Sequence, residues 1–194
     1  MEPVQKFNNV MIDLETLGTQ TNSAILSIAA VSFDIKTGEV KHVFNIPITL
    51  QSCLDLGMKV DEGAFMFWLK QSKEARSSIY DAKGKVHLIE ALAQLTNFIK
   101  KIEEEEGKSV MVWGNGAIFD IGILNFAYNL NKLASPWRYT NEMCLRTIAA
   151  LYPDTRRNEP FLGVPHDPID DCLHQIKYLV KIMNKIYTKD EIEN

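Results

Sequence analysis

The chain has 194 residues, 46% of them hydrophobic, and a formal net charge of −4. That composition excludes a disordered polyelectrolyte, and a domain of this length buries roughly 70% of its unfolded surface without needing a disulfide or structural metal. No stretch approaches the ~18 consecutive apolar residues of a membrane span, residues 1–9 lack the basic-then-apolar form of a signal peptide, and Cys53, Cys144 and Cys172 stand in no C-x-x-C arrangement. One cytoplasmic domain over residues 1–194, with no membrane partner, is the expectation.

The apolar run Val10, Met11, Ile12 reads as a buried strand that ends in Asp13-Leu14-Glu15. Residues 24–33 are almost continuously apolar, as in a central strand covered on both faces. The turn Lys36-Thr37-Gly38 then leads to a third strand, residues 39–48, in an antiparallel hairpin with the second. Ala64, Phe65, Phe67, Trp68 and Leu69 suggest a short helix within 61–76, with the aromatics packed into a core. Leu88, Leu92, Leu95, Phe98, Ile99 and Ile102 recur at helical spacing, and that helix ends in the solvated acidic run 103–106 and Gly107. A short buried strand at 110–113 and a glycine turn precede a helix over 119–130. A last strand at 139–144 runs into a helix over 145–151 that Pro153 stops. The final helix carries Ile169, Cys172, Ile176, Leu179, Val180, Met183 and Ile186 on one face. Strands first, then alternating helices and strands, indicate an α/β sandwich around a mixed sheet.

Three places in this scheme carry chemistry. Side chains alternate across a strand, so Asp13 and Glu15 project together from its end, a half-site for Mg²⁺ or Mn²⁺, which prefer carboxylate oxygen. Spacing alone does not settle it, since Glu103 and Glu105 share it, as do Glu191 and Glu193, and a surface turn stays open. Those pairs lie in charge-dense stretches, whereas Asp13 and Glu15 follow an apolar strand. Asp120 has a similar strand-end address beyond residues 110–113, with a helix start favoured by the dipole as the alternative. Asp167 followed by Pro168 has the form of an N-cap and first-turn proline, leaving His166 on the loop and Asp171 just over one turn away. Asp170 competes as a ligand. It aligns with His174, Lys177 and Lys181, a solvated row, whereas Asp171 aligns with Gln175, Tyr178 and Ile182, a half-buried one, so Asp171 is preferred.

Together these segments resemble the DEDD superfamily of 3′-5′ exonucleases, the DnaQ-like branch of the ribonuclease H-like fold, in its histidine-bearing subclass. Residues 13–18 (DLETLG) are similar to the first motif, Phe119-Asp120 with Asn115-Gly116-Ala117 to the second, and His166 with Asp171 to the H-x-x-x-x-D third. Residues 12–20, 68–76 (WLKQSKEAR), 113–120 and 145–147 are similar to a small subgroup of phages and bacteria that includes a mycobacterial exoribonuclease. Two departures stand out. Asn115 lies one position further from Asp120 than in the commonest second motif, and Cys144 stands where relatives often carry an aspartate.

The resemblance implies a three-layer α/β/α sandwich with a central mixed five-stranded sheet. It also implies that Asp13, Glu15, Asp120 and Asp171 hold two divalent cations, Mg²⁺ or Mn²⁺, while His166 takes a proton from the attacking water. Two such ions add +4 to the −4 of the chain and offset the acidic balance that argues against a nucleic-acid partner. The expected substrate is single-stranded nucleic acid or a 3′ overhang, DNA or RNA, and relatives are often homodimers. Thr16 and Leu17 are expected at the terminal nucleotide, with Leu17 as a wedge. Trp68, Gln71, Asn115, Phe119 and Arg146 are further candidate contacts, and surface solvation is the default for Arg76, Arg156 and Arg157. The rivals are a ribonuclease H-type endonuclease and a non-catalytic nucleic-acid-binding module on the same fold.

Overall fold

The central strand β1 (Asn9–Thr16) pairs antiparallel with β2 (Ile25–Phe33) and parallel with β4 (Met111–Gly114). Outside these, β3 (Val40–Pro47) pairs antiparallel with β2 and β5 (Glu142–Cys144) parallel with β4, giving the order β3-β2-β1-β4-β5. The structure is a computed structural model that describes residues 6–190.

Alternation along β1 and β2 divides the interior into two cores. Val10, Ile12, Leu14, Ile28 and Ala30 face one side, where α4 (Leu88–Glu106) and α5 (Asp120–Leu130) cover them. Met11, Ala29, Val31, Phe33 and Trp113 face the other, beneath α6 (Leu145–Leu151) and α8 (Pro168–Asp190). The result is the expected three-layer sandwich with a mixed five-stranded sheet. In α4, Leu88, Leu92, Leu95, Ile99 and Ile102 are buried, each worth about 1.5–3 kcal/mol of transfer free energy. That face, more than helix propensity, holds α4 on the sheet, and Gly107 ends it in the left-handed conformation at φ 61°.

Three local expectations are corrected. Residues 61–76 form two helices, α2 (Glu62–Leu69) and α3 (Lys73–Tyr80), because Ser72 caps a new start by accepting from the amide of Ala75 at 3.1 Å. Of the aromatics there, only Trp68 packs inside. Phe65 and Phe67 are exposed, and Trp68 alone of α2 joins the small core of Leu17, Leu26 and Ile79. α6 ends at Leu151 ahead of Pro153, as expected, and Pro153 goes on to begin α7 (Pro153–Arg157), a first-turn position that suits a residue without an amide hydrogen. The last strand is shorter than expected, Tyr139–Asn141 forming one 3₁₀ turn, and α1 (Leu50–Asp55) was not foreseen.

Candidate active site

The ladder between β1 and β4 ends at the pair Ile12 and Gly114. Residues 13–16 of β1 therefore run past the end of β4, into the crevice beyond the carboxyl ends of the parallel strands. The amide of Leu14, left without a β4 partner, donates to Asp120 Oδ1 at 3.3 Å, and the amide of Gly116 donates to Oδ2 at 3.3 Å. Gly114 makes room for this: a Cβ there would lie 2.9 Å from Asp120 Oδ2. Strand parity turns Asp13 and Glu15 to the α8 side. There Gln175 Nε2 donates to Asp13 Oδ1 at 2.7 Å.

The third segment arrives from the loop before α8. Asp167 Oδ1 accepts from the amides of Ile169 and Asp170, so it is the N-cap, as expected. His166 sits in the left-handed region at φ 66°, held by its amide donating to Asp171 Oδ2 at 2.8 Å. That conformation is uncommon for a residue with a Cβ. Its imidazole lies edge-on to Phe67, with centroids 5.0 Å apart at 86°. Glu15, His166 and Asp171 each offer a ligand atom within 4.8 Å of the others. Asp170 turns away: its Oδ2 accepts from the amide of Val164 at 2.8 Å, under Gly163, where φ is 110° and a Cβ would overlap the carboxylate.

The electrostatics mark these acids as mutually repelling. Burial raises the Asp13 carboxyl well above the usual range, with the charges of Asp120 and Asp171 adding to it. Burial and then Asp13 and Asp171 do the same to Glu15. Burial pushes Asp120 up to about 6, against its amide hydrogen bonds and Arg146. Asp171 is raised chiefly by burial, His166 opposing. Buried carboxylates that repel one another, within reach of an imidazole, form a donor set suited to a hard divalent cation.

Two cavities meet at the acids. One of about 410 Å³ is lined by Asp13, Glu15, Thr16, Phe67, His166 and Asp171. A groove of about 1270 Å³ runs from Asp13 and Asp120 past Ile118 to Arg146. Leu14, Thr19, Asn115 and Phe119 border both. The structure thus brings Asp13, Glu15, Asp120, His166 and Asp171 to one place, with Thr16, Asn115, Phe119 and Arg146 around it. Trp68 is 2% exposed and touches the smaller cavity from within the core, donating through Nε1 to the Thr16 carbonyl at 3.0 Å.

Leu17 and Gln71 are not brought to the site. An irregularity between Glu15 and Thr16 breaks the alternation, so Leu17 turns inward and packs with Leu26, Trp68 and Ile79, only 3% exposed. Gln71 spends its amide on the Phe67 carbonyl at the end of α2. Gln175 had not been given a role. Its signal was available: it lies one helical turn beyond Asp171 on the same buried row.

The fold is that of the DEDDh exonucleases. The nuclease domain of 3′hExo, a DEDDh family member bound to rAMP, aligns with a TM-score of 0.64 at 13% identity, covering 91% of this chain and 92% of that one. Exonuclease I aligns at 0.62 with 17% identity over 93% of this chain and 43% of that one. Exonuclease X in complex with 5′ overhanging duplex DNA aligns at 0.55 with 18% identity over 91% and 92%. In sequence, an exodeoxyribonuclease of Enterobacteria phage T4 is 28% identical over 121 residues, 59% of this chain, and the match spans about half (52%) of that relative's length. The family described as the 3′-5′ exoribonuclease Rv2179c-like domain matches residues 8–183, and the chain belongs to that family.

Proposed function

We propose that this chain is a single-domain, metal-dependent 3′-5′ exonuclease that hydrolyses the terminal phosphodiester bond of single-stranded or 3′-overhang nucleic acid and releases nucleoside 5′-monophosphates. The observation that carries the reading is the convergence of acids from three distant segments, Asp13, Glu15 and Asp171 beside His166 in the smaller cavity and Asp120 in the groove that shares Asp13 with it, with all four carboxyl pKa values raised. These acids would hold two divalent cations, Mg²⁺ or Mn²⁺, which when bound supply the charge that steadies the scissile phosphate and the attacking and departing oxygens.

The remaining steps belong to the chain's own groups. Gln175 fixes the Asp13 carboxylate, and the amides of Leu14 and Gly116 fix that of Asp120, so the acids are oriented before substrate arrives. An imidazole nitrogen of His166 takes the proton of the attacking water, a task that suits histidine. Asp171 serves twice, since it also pins the backbone that presents the ring. The smaller cavity is of a size to take one nucleotide. Three unpaired cysteines suit a reducing cytoplasm, in a bacterial cell or a phage-infected host. Dimerisation, which the resemblance implies, is part of this proposal and is read by light scattering.

The test is a side-by-side digestion of 5′-labelled single-stranded DNA, single-stranded RNA and 3′-overhang duplexes with Mg²⁺, Mn²⁺ or EDTA. Stepwise shortening from the 3′ end that requires metal is the expected result. Mid-length fragments at the first time point would assign a ribonuclease H-type endonuclease. Binding without any release would leave a nucleic-acid-binding module. The family description names an exoribonuclease and the phage relative is an exodeoxyribonuclease, so the paired arms also decide the sugar.

A further inference from the structure

Beside the larger groove lies a recess of about 410 Å³ walled by Arg146, Arg156, Arg157 and His174 and floored by Ala149 and Ala150. Arg146 and Ala150 also border the groove that holds Asp13 and Asp120, so the two hollows are contiguous. No carboxylate among the described residues lines the recess. Among the described residues, Arg146 and Arg156 enter no ion pair, and Arg157 pairs with Asp154 at 3.2 Å where both side chains are mostly exposed. Water screens such a pair heavily. Burial holds His174 below its ordinary pKa, so at neutral pH the charge of the recess rests on three guanidinium groups.

A simpler account exists for part of this. Arg156 and Arg157 fall in the last turn of α7, where cations complement the helix dipole. That account leaves out Arg146, on a different helix, and it does not explain why three like charges share one concavity in a chain of net charge −4. Arginine forks match phosphate oxygens in a bidentate way, and a positively charged groove tracking the backbone is how single strands are held without reading their sequence.

We propose that Arg156 and Arg157, with Arg146, form a phosphate-binding site for the upstream backbone of the substrate strand, outside the catalytic cavity. The proposal rests on the nuclease reading. A strand whose 3′ end fills the smaller cavity and whose scissile phosphate meets the acids leaves along the larger groove, crosses Arg146 and enters the recess. The site grips strands long enough to reach it and is blind to shorter ones.

The test is the double variant Arg156→Ala, Arg157→Ala, two exposed positions on a short surface helix. On a single strand of about twelve nucleotides, KM rises on the order of tenfold with kcat nearly constant, and the slope of log(kcat/KM) against log(salt) flattens by roughly 0.7 per lost contact. On a dinucleotide, which ends short of the recess, kcat/KM changes less than about twofold. Equal loss on both substrates, or no loss on either, overturns the proposal. Fluorescence anisotropy of the labelled strand in EDTA reads the recess without turnover, and there an unchanged Kd for the double variant overturns it equally. A wild-type protein that binds through these arginines yet releases no nucleotide would instead sink the nuclease reading alone.

Discussion

Asp120→Asn in the metal-free protein puts a number on the cost of burying a carboxylate at the site. Asp120 is 2% exposed, and burial moves its pKa from 3.8 to about 6. The folded chain therefore holds this proton more tightly than the unfolded chain, and stability falls as pH rises from the unfolded value through the folded one. The shift, (about 6 − 3.8) × 1.36, amounts to about 3 kcal/mol, fully lost above the folded pKa. Asparagine cannot ionise and lacks this loss. It does give up one acceptor for the amide of Leu14 or Gly116, an offset of about 1–3 kcal/mol that does not depend on pH. The diagnostic is thus the change in the difference: between about pH 4 and about pH 7.5 in EDTA, the variant gains about 2.4 kcal/mol on the wild type, or roughly 5–10 °C in Tm. Neighbouring acids relieved of a like charge shift in the same direction. Urea or thermal unfolding at each pH measures it, and other titrating groups, such as His174, cancel in the comparison. With Mn²⁺ at a hundredfold its Kd the wild type recovers about 2.7 kcal/mol, and the variant, short of a ligand, recovers less. A difference that stays constant with pH, or runs the other way, would show that the amides and Arg146 outweigh burial and would refute the electrostatic account.

His166→Ala lowers kcat by about 10²- to 10⁴-fold while the Mn²⁺ Kd by calorimetry moves less than about tenfold; a collapse of metal affinity would reassign the imidazole as a ligand beside Glu15 and Asp171. Gln175→Leu, which leaves the Asp13 carboxyl without this donor, costs about 10- to 100-fold in metal affinity or kcat/KM, and unaltered metal affinity would mean that the 2.7 Å hydrogen bond is idle. Trp68→Phe leaves the Thr16 carbonyl unpaired and lowers stability by about 1–3 kcal/mol in urea, together with a raised KM because Thr16 borders the cavity; a change in stability under about 0.5 kcal/mol would contradict it.

Much of the site was legible because its logic is local. Asp13 and Glu15 share a face by strand parity, the Asp167-Pro168 cap dates the start of α8, and helical rows separate Asp171 from Asp170. The apolar content of residues 24–33 likewise revealed a strand covered on both sides, and the observed β2 is buried throughout. Parity failed one residue too far: extending β1 to Leu17 would keep that side chain on the face of Glu15, but the irregularity after Glu15 reverses it into the core. Helical periodicity likewise ran through Ser72, where a side-chain hydroxyl had already captured the Ala75 amide.

The chain's own periodicities thus determined which side chains leave each element and on which face, because those depend on neighbours a few positions away. Tertiary structure decided which faces meet. Gln175 reaches Asp13 across 162 positions, Asp120 takes the amide of Leu14 across 106, and Arg146 joins the recess of α7 to the groove. Such pairings arise only when α8, α5 and α6 are seated on the sheet, since a hydrogen bond or a repulsion depends on distance in space, and no local pattern records it.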